Sequence, residues 1–184
     1  MHLINAAMSR EERFTALYDA TYPDLLHFVR RRVHPARAED IVSDAMLVAW
    51  RRLDDVPMDP SAARAWLFGV AYKTLQNTRR REEKQDAIAV RLAEVAHVTA
   101  AGVESPDAVA DRLDVAAAWP LLSAAHQEAI ALSVLDGLTA PEAARVLGIT
   151  PVAFRLRLSR ARKALRQHII STSTDDLTTQ RSPR

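Results

Sequence analysis

TAPEAARVLGITPVAFRLRLSRARKALR, residues 139–166, decides the reading of this chain. It divides into two helices about a short turn. Thr139 can cap the first helix, and Glu142, three positions on, completes a capping box. Gly148 suits the left-handed residue that ends such a helix. Thr150 then caps a second helix, with Pro151 at its first position, where no backbone donor is needed. That second helix carries Arg155, Arg157, Arg160, Arg162, Lys163 and Arg166 and no acidic residue. A helix, a turn of about three or four residues and a basic helix make a helix-turn-helix, whose second helix suits the major groove of DNA. The plainer alternative, a surface hairpin with a solvated basic face, leaves the agreement of caps, turn and charge without a cause.

The rest of the composition fits an all-α protein. Among 184 residues there are four glycines, β-branched runs are rare, and Ala, Leu, Arg and Glu dominate. That length allows one or two domains, and an apolar content of 48% is enough to build their cores. No cysteine is present, which excludes disulfides and thiolate metal sites. His2, His27, His34, His97, His126 and His168 show no ligand spacing, and there is no nucleophile–base grouping or glycine-rich phosphate loop. No catalytic residue, cofactor or metal is therefore expected, and the chain does not read as an enzyme. No apolar run approaches a membrane span, and the N-terminus lacks a signal-peptide core, so a cytoplasmic location without membrane insertion is expected.

The net charge of +2 conceals a pattern. Residues 1–85 carry 14 basic against 12 acidic side chains, residues 86–122 carry 2 against 6, and residues 123–170 carry 7 against 3. Two basic blocks flanking an acidic connector suggest separate polyanion-binding modules.

Toward the N-terminus, Ser9 and Glu12 form a second capping box, followed by apolar residues at helical spacing. Tyr22-Pro23 is read as a break between two helices, and His34-Pro35 as a second break. Residues 36–53 make a third helix, with Ile41, Val42, Ala45, Met46, Ala49 and Trp50 on one apolar stripe and Asp40, Asp44, Leu47 and Arg51 mainly outside it. Residues 54–61 are a loop, and Ser61 is read as the cap of a fourth helix. These helices form a first domain, 1–85. A flexible linker, 86–104, is followed by a second small helical domain, 105–170. There Ser105-Pro106 opens a helix, Trp119-Pro120 kinks or ends it, and Ser123 caps another that runs to Leu135 and closes at Gly137. The tail 171–184, poor in apolar residues, is expected to be disordered.

AEDIVSDAMLVAWRRLDDV and WLFGVAYKTLQNTRRR in the first block, then the helix-turn-helix in the second, resemble the extracytoplasmic-function group of bacterial RNA polymerase sigma factors, in the sigma-70 family. The likeness spans residues 10–168 around the linker. It implies a transcription initiation factor that binds core RNA polymerase, directs it to promoter DNA and helps to open the duplex. Its 1–85 domain then resembles sigma region two, and 105–170 sigma region four. The helix 36–53 would dock on a coiled coil of the largest polymerase subunit through Asp40, Asp44, Leu47 and Arg51, with the polymerase flap as a further contact. The other reading of those charges is a solvated outer face. Loop 54–65 and helix 66–81 would open DNA and read the minus-ten element, which needs a pocket for an extruded base and a basic track. Lys73, Gln76, Asn77, Arg79 and Arg80 are the candidates, with Arg81 extending the track, while Trp66 and Phe68 read better as core. In the second domain Ile149, Phe154, Leu158, Ala161 and Leu165 share a core face. Arg155, Leu156, Arg157, Ser159 and Arg160 would read the minus-thirty-five element, with Arg162, Lys163 and Arg166 on backbone or solvent.

Ala71-Tyr72-Lys73 stands where the family often has Ala-Arg-Asn, Val152-Ala153 where it often has Gly-Thr, and Leu156 where it often has a small polar residue. These departures touch promoter detail rather than the polymerase role. Many relatives have an anti-sigma factor, which the resemblance admits here as a further partner. The acidic linker has two readings, mimicry of RNA in a polymerase channel or ordinary solvation. The competing function is a stand-alone helix-turn-helix repressor or activator, which leaves residues 36–81 idle.

Overall fold

A computed structural model describes residues 8–81 and 106–180, with side chains over 8–78 and 111–171. The helices are α1 (Arg10–Arg30), α2 (Ala38–Arg51), α3 (Pro60–Arg81), α4 (Pro106–Ala118), α5 (Ala124–Ile130), α6 (Ala140–Leu147) and α7 (Pro151–Gln180), and no strand occurs among the described residues. They gather into two compact units, the first built from α1, α2, α3 and α6, the second from α4, α5 and α7. The expected linker 86–104 lies outside the described residues.

In the first unit α1 starts at a capping box: Glu12 N–H donates to Ser9 Oγ at 3.1 Å, and Ser9 N–H donates to Glu12 Oε2 at 2.7 Å. It then runs unbroken through Pro23, against the expectation of two helices. Proline in a helix interior costs about 3 kcal/mol through a lost hydrogen bond and a ring clash. Burial outweighs that cost, since Leu25, Phe28 and Val29, just beyond the proline, are fully buried, and each such side chain contributes about 1.5–3 kcal/mol. Phe28 stacks on Phe68 of α3 with ring centroids 4.5 Å apart. Across α2, Ala38, Ile41, Val42, Ala45, Met46 and Ala49 are buried, the stripe that helical spacing predicts save that Trp50 is half-buried. Trp50 instead meets Phe14 edge-on at 5.2 Å.

The start of α3 departs from the expected cap. Asp59 holds that place, its carboxylate accepting from Ala62 N–H at 2.8 Å, and Pro60 opens the helix. Ser61 is thereby released, and its hydroxyl donates to Glu142 of α6 at 2.5 Å. Glu142 also accepts from the backbone N–H and hydroxyl of Thr139 at 2.7 and 2.6 Å. Burial pushes the Glu142 carboxyl up, but hydrogen bonds from Ser61 and Thr139 and the charge of Arg64 outweigh it and hold the carboxyl below its ordinary range. Gly148 ends α6 at φ 67°, the left-handed conformation its sequence position predicts.

The second unit packs Trp119, Leu122, Ile130, Ala131 and Ala161 together, with Leu135, Leu158, Ala164 and Leu165 against them. Gln127 is buried there, and its amide donates to the Trp119 carbonyl at 3.0 Å, satisfying the turn where α4 gives way to Pro120. Ser123 caps α5 as expected, accepting from His126 N–H. The stretch Ala131–Leu135 is a π-helical turn rather than plain α-helix, closed by Gly137 at φ 64°. α7 continues to Gln180, so residues 171–180, expected to be disordered, are helical. Adding a residue to a formed helix fixes one residue for one hydrogen bond, which demands far less apolar surface than nucleating a new one.

Two outcomes follow. Pro23→Ala restores a backbone donor in an exposed turn and should stabilise the chain by about 1–3 kcal/mol in urea unfolding; a loss of stability would mean that the proline ring itself packs. Glu142 ionises at lower pH folded than unfolded, so its contribution is complete above the usual glutamate range and lost as pH falls through the folded value. Glu142→Gln should therefore flatten the decline in stability between about pH 6 and pH 3, measured by thermal melts across that range.

Candidate polymerase and nucleic-acid interfaces

The outer face of α2 is a by-product of its inner one. With positions 38, 41, 42, 45, 46 and 49 buried, helical geometry turns 40, 44, 47 and 51 outward as a single row. The structure places Asp40, Asp44, Leu47 and Arg51 on that row, all exposed, Leu47 at 46%. Glu39 beside them pairs with Arg30 at 3.7 Å. The result is one exposed apolar side chain among acidic groups near the helix start, where the backbone dipole favours negative charge.

Past α2 the chain wraps a cavity of about 200 Å³. Arg13, Leu17, Leu53, Val56, Met58 and Ala63 contribute to its wall. Arg13 holds the loop by donating to the Val56 carbonyl at 2.9 Å, and Arg52 pairs with Asp55 at 2.8 Å. Arg10 donates to the Trp50 carbonyl at 2.6 Å and lies over the Trp50 ring. The part α1 plays in this wall escaped sequence reasoning, because it depends on the pairing of distant helices.

Along α3, Phe68 is fully buried, and Trp66 is half-buried against Leu53, Val56 and Ala63 with Arg52 over its ring. Both therefore serve packing, as the sequence reading preferred. Lys73 and Asn77 are exposed and line a hollow of about 310 Å³ with Arg52, Trp66, Thr74 and Arg145. Gln76 is half-buried and does not line it. Arg79, Arg80 and Arg81 lie on the last turn of α3, their side chains outside the described residues. Arg52 and Arg145 were not among the sequence candidates for this hollow. A lysine and two arginines about one opening favour an anion.

On α7 the core face falls at Phe154 and Ala161, fully buried, with Leu158 and Leu165 half-buried; Ile149, just ahead of the helix, is half-buried too. Arg155, Leu156, Ser159 and Arg160 are exposed, as are Arg162, Lys163 and Arg166. Arg157 departs from the exposed position expected of it and is half-buried. It lies three residues after Phe154 and four before Ala161, which sets it on the flank of the buried stripe. Val152 and Leu156 are 71% and 50% exposed, so the basic face carries apolar groups of the kind that can meet a thymine methyl. No acidic residue occurs from 151 to 171.

Among the described residues there is no cluster of three or more metal-ligating side chains, and no helix is long and apolar enough to cross a membrane.

Residues 17–85 match the family described as Sigma-70 region 2, and residues 112–165 match Sigma-70, region 4. The first match covers the block that a stand-alone repressor would leave idle. The ECF RNA polymerase sigma factor SigL of Mycobacterium tuberculosis is 32% identical over 168 residues, 88% of this chain and 91% of the relative. The RNA polymerase sigma factor NccH of Alcaligenes xylosoxydans xylosoxydans is 33% identical over 132 residues, 69% of this chain and 70% of its own. Among solved structures, the sigma factor RpoE in complex with the anti-sigma factor NepR from Bartonella quintana is similar at TM-score 0.60 and 26% identity, over 85% of this chain and 96% of that one. CnrH in complex with the cytosolic domain of CnrY is similar at TM-score 0.59 and 26% identity, over 90% and 92%. Two matched regions in the right order, and a relative aligned over nearly its whole length, show that the chain belongs to the sigma-70 family as an extracytoplasmic-function factor, an alternative sigma factor of transcription initiation.

Proposed function

We propose that the row Asp40, Asp44, Leu47 and Arg51 docks on the coiled coil of the largest polymerase subunit, that the 54–65 loop and α3 open and read the minus-ten element, and that α7 reads the minus-thirty-five element. In this reading residues 1–85 and 105–170 work as two domains joined by 86–104. The observation that carries it is the exposed face of α7, where Arg155, Leu156, Ser159 and Arg160 stand on a run, 151–171, without an acidic residue, behind a glycine-ended turn. The apolar cavity beside Met58 has the setting for a base taken out of the stack, and the Lys73–Asn77 hollow that for single-stranded backbone. The chain supplies binding and strand separation and no bond chemistry of its own, and it acts in the cytoplasm, where the polymerase is. An anti-sigma factor fits as a further partner, since the similar RpoE is in complex with the anti-sigma factor NepR and CnrH with the cytosolic domain of CnrY. Run-off transcription with core polymerase and genomic DNA tests the whole reading and finds the promoters; no specific transcript would overturn it.

Reversing both acidic charges with Asp40→Lys and Asp44→Lys should weaken capture of core polymerase by about tenfold or more, with helicity and melting temperature nearly unchanged. Unchanged capture would remove the α2 row from the interface. On α7, Arg155→Ala and Arg160→Ala should each cost about 1–3 kcal/mol where the arginine pairs with a guanine, and relax the preference at one upstream base. Arg166→Ala, near the far end of the basic run, should weaken every promoter alike and flatten the salt dependence. Transcription from single-base variants of the upstream element separates the two behaviours, and indifference to both arginine substitutions would show that α7 is not the reader.

A further inference from the structure

We propose that Val152 and Leu156 form an apolar ridge on α7 that reads the 5-methyl groups of two thymines in the minus-thirty-five element. This rests on the assignment of α7 to that element and names what the helix seeks there. Helical geometry supplies the first ground. A residue two positions away along an α-helix lies about 200° round the axis. Val152 stands two before Phe154 and Leu156 two after it, and Phe154 is fully buried. Both therefore project from the side of α7 opposite its core stripe, where they are 71% and 50% exposed. Ser159 and Lys163, also exposed, continue that outward side into the following turns.

The arginines stand to either side of this ridge. Arg155, one residue past Phe154, lies about 100° round the axis in one sense, and Arg160, six residues past it, about 120° in the other. No acidic residue from 151 to 171 opposes them. An apolar centre between cationic flanks matches the major groove, which carries base edges on its floor and phosphates along its walls. Single exposed apolar side chains are common on protein surfaces. These two are neighbours on one face, and the cationic flanks suit a polyanion rather than an apolar protein surface.

The chemistry selects the base. Hydrogen-bond donors and acceptors mark every base pair in the major groove, and the one apolar mark is the thymine C5-methyl. Valine and leucine side chains offer no hydrogen bond, so a guanine or adenine edge pressed against them is left unpaired, which disfavours those bases. Residues four apart on a helix have Cβ atoms about 5–6 Å apart, and bases on one strand rise about 3.4 Å per step. The pair therefore spans methyl groups one or two steps apart. Pro151 opens α7, which puts Val152 and Leu156 in its first two turns, the part of a recognition helix that meets base edges.

The test uses holoenzyme assembled from the full chain and core polymerase, on a promoter recovered by run-off transcription. In a matched template every thymine of the minus-thirty-five element is replaced by deoxyuridine, which removes the methyl groups and keeps every hydrogen-bonding group. At limiting holoenzyme the wild-type chain should give about fivefold less transcript from the deoxyuridine template. The double variant Val152→Ala, Leu156→Ala should lose about as much on the thymine template and differ by less than about twofold between the two templates. Equal wild-type output from both templates, an undiminished methyl effect in the variant, or an element without two thymines one or two steps apart overturns the proposal. A loss in the variant with no methyl effect in the wild type also overturns it and gives the pair to a protein surface. Should the variant lose helicity or capture of core polymerase, the two templates compared with the wild-type chain decide alone. If deoxyuridine has no effect while Arg155→Ala and Arg160→Ala shift base preference, the methyl contact fails and α7 remains the reader; if neither matters, the assignment of α7 fails.

Discussion

Phe28 and Phe68 stack with ring centroids 4.5 Å apart, both fully removed from water, and the first unit is organised about that pair. The rings tie the C-terminal half of α1 to the first half of α3. Arg32 lies 3.7 Å from the Phe28 centroid and Arg64 4.5 Å from that of Phe68, so cationic groups cover the aromatic pair. Arg32 spends its charge inward, donating to the Phe28 carbonyl at 2.7 Å, and Arg64 pairs with Asp24 at 2.8 Å. Once α1 and α3 are joined in this way, the buried stripe of α2 has only one way to face, and its Asp40–Arg51 row must turn outward. The exposed row of α2 is thus set by a hydrophobic contact that none of its own residues makes.

The same relation holds for the basic faces of α7 and α3. α7 buries Phe154 and Ala161, and that commitment alone exposes Arg155, Leu156, Ser159 and Arg160 together. It also withdraws Arg157 to the flank of the core. On α3, burial of Leu67, Phe68, Ala71 and Leu75 leaves Lys73 and Asn77 one turn apart on the opposite side. Two arginines from elsewhere in the first unit, Arg52 and Arg145, complete the cationic hollow. Charge is placed by what the apolar positions require, and each surface draws its character from the core beneath it.

Much of this was legible in the order of residues because the signals act over three or four positions. A capping serine with glutamate three residues on, a glycine that alone tolerates positive φ, and apolar residues repeating with the helical period declare themselves locally. Ser9–Glu12, Ser123 and Gly148 were all readable on those terms, and so was the succession of a region-two block and a helix-turn-helix. Arg155 and Arg160 on the basic face of α7 followed from its spacing, whereas Arg157, read as exposed, is half-buried.

Tertiary structure decided what those local rules leave degenerate. Pro23 is a break by its own chemistry and a tolerated helical residue once Leu25, Phe28 and Val29 are buried beyond it. Ser61 is as good a cap as Asp59 in isolation, yet Asp59 takes the helix and Ser61 turns to Glu142, eighty-one residues away. The apposition of α6 and α3 and the wall that α1 lends to the Met58 cavity have no short-range signature. Each depends on which apolar surfaces find one another, and burial is non-directional and proportional to area, so it is settled only when the whole chain has packed.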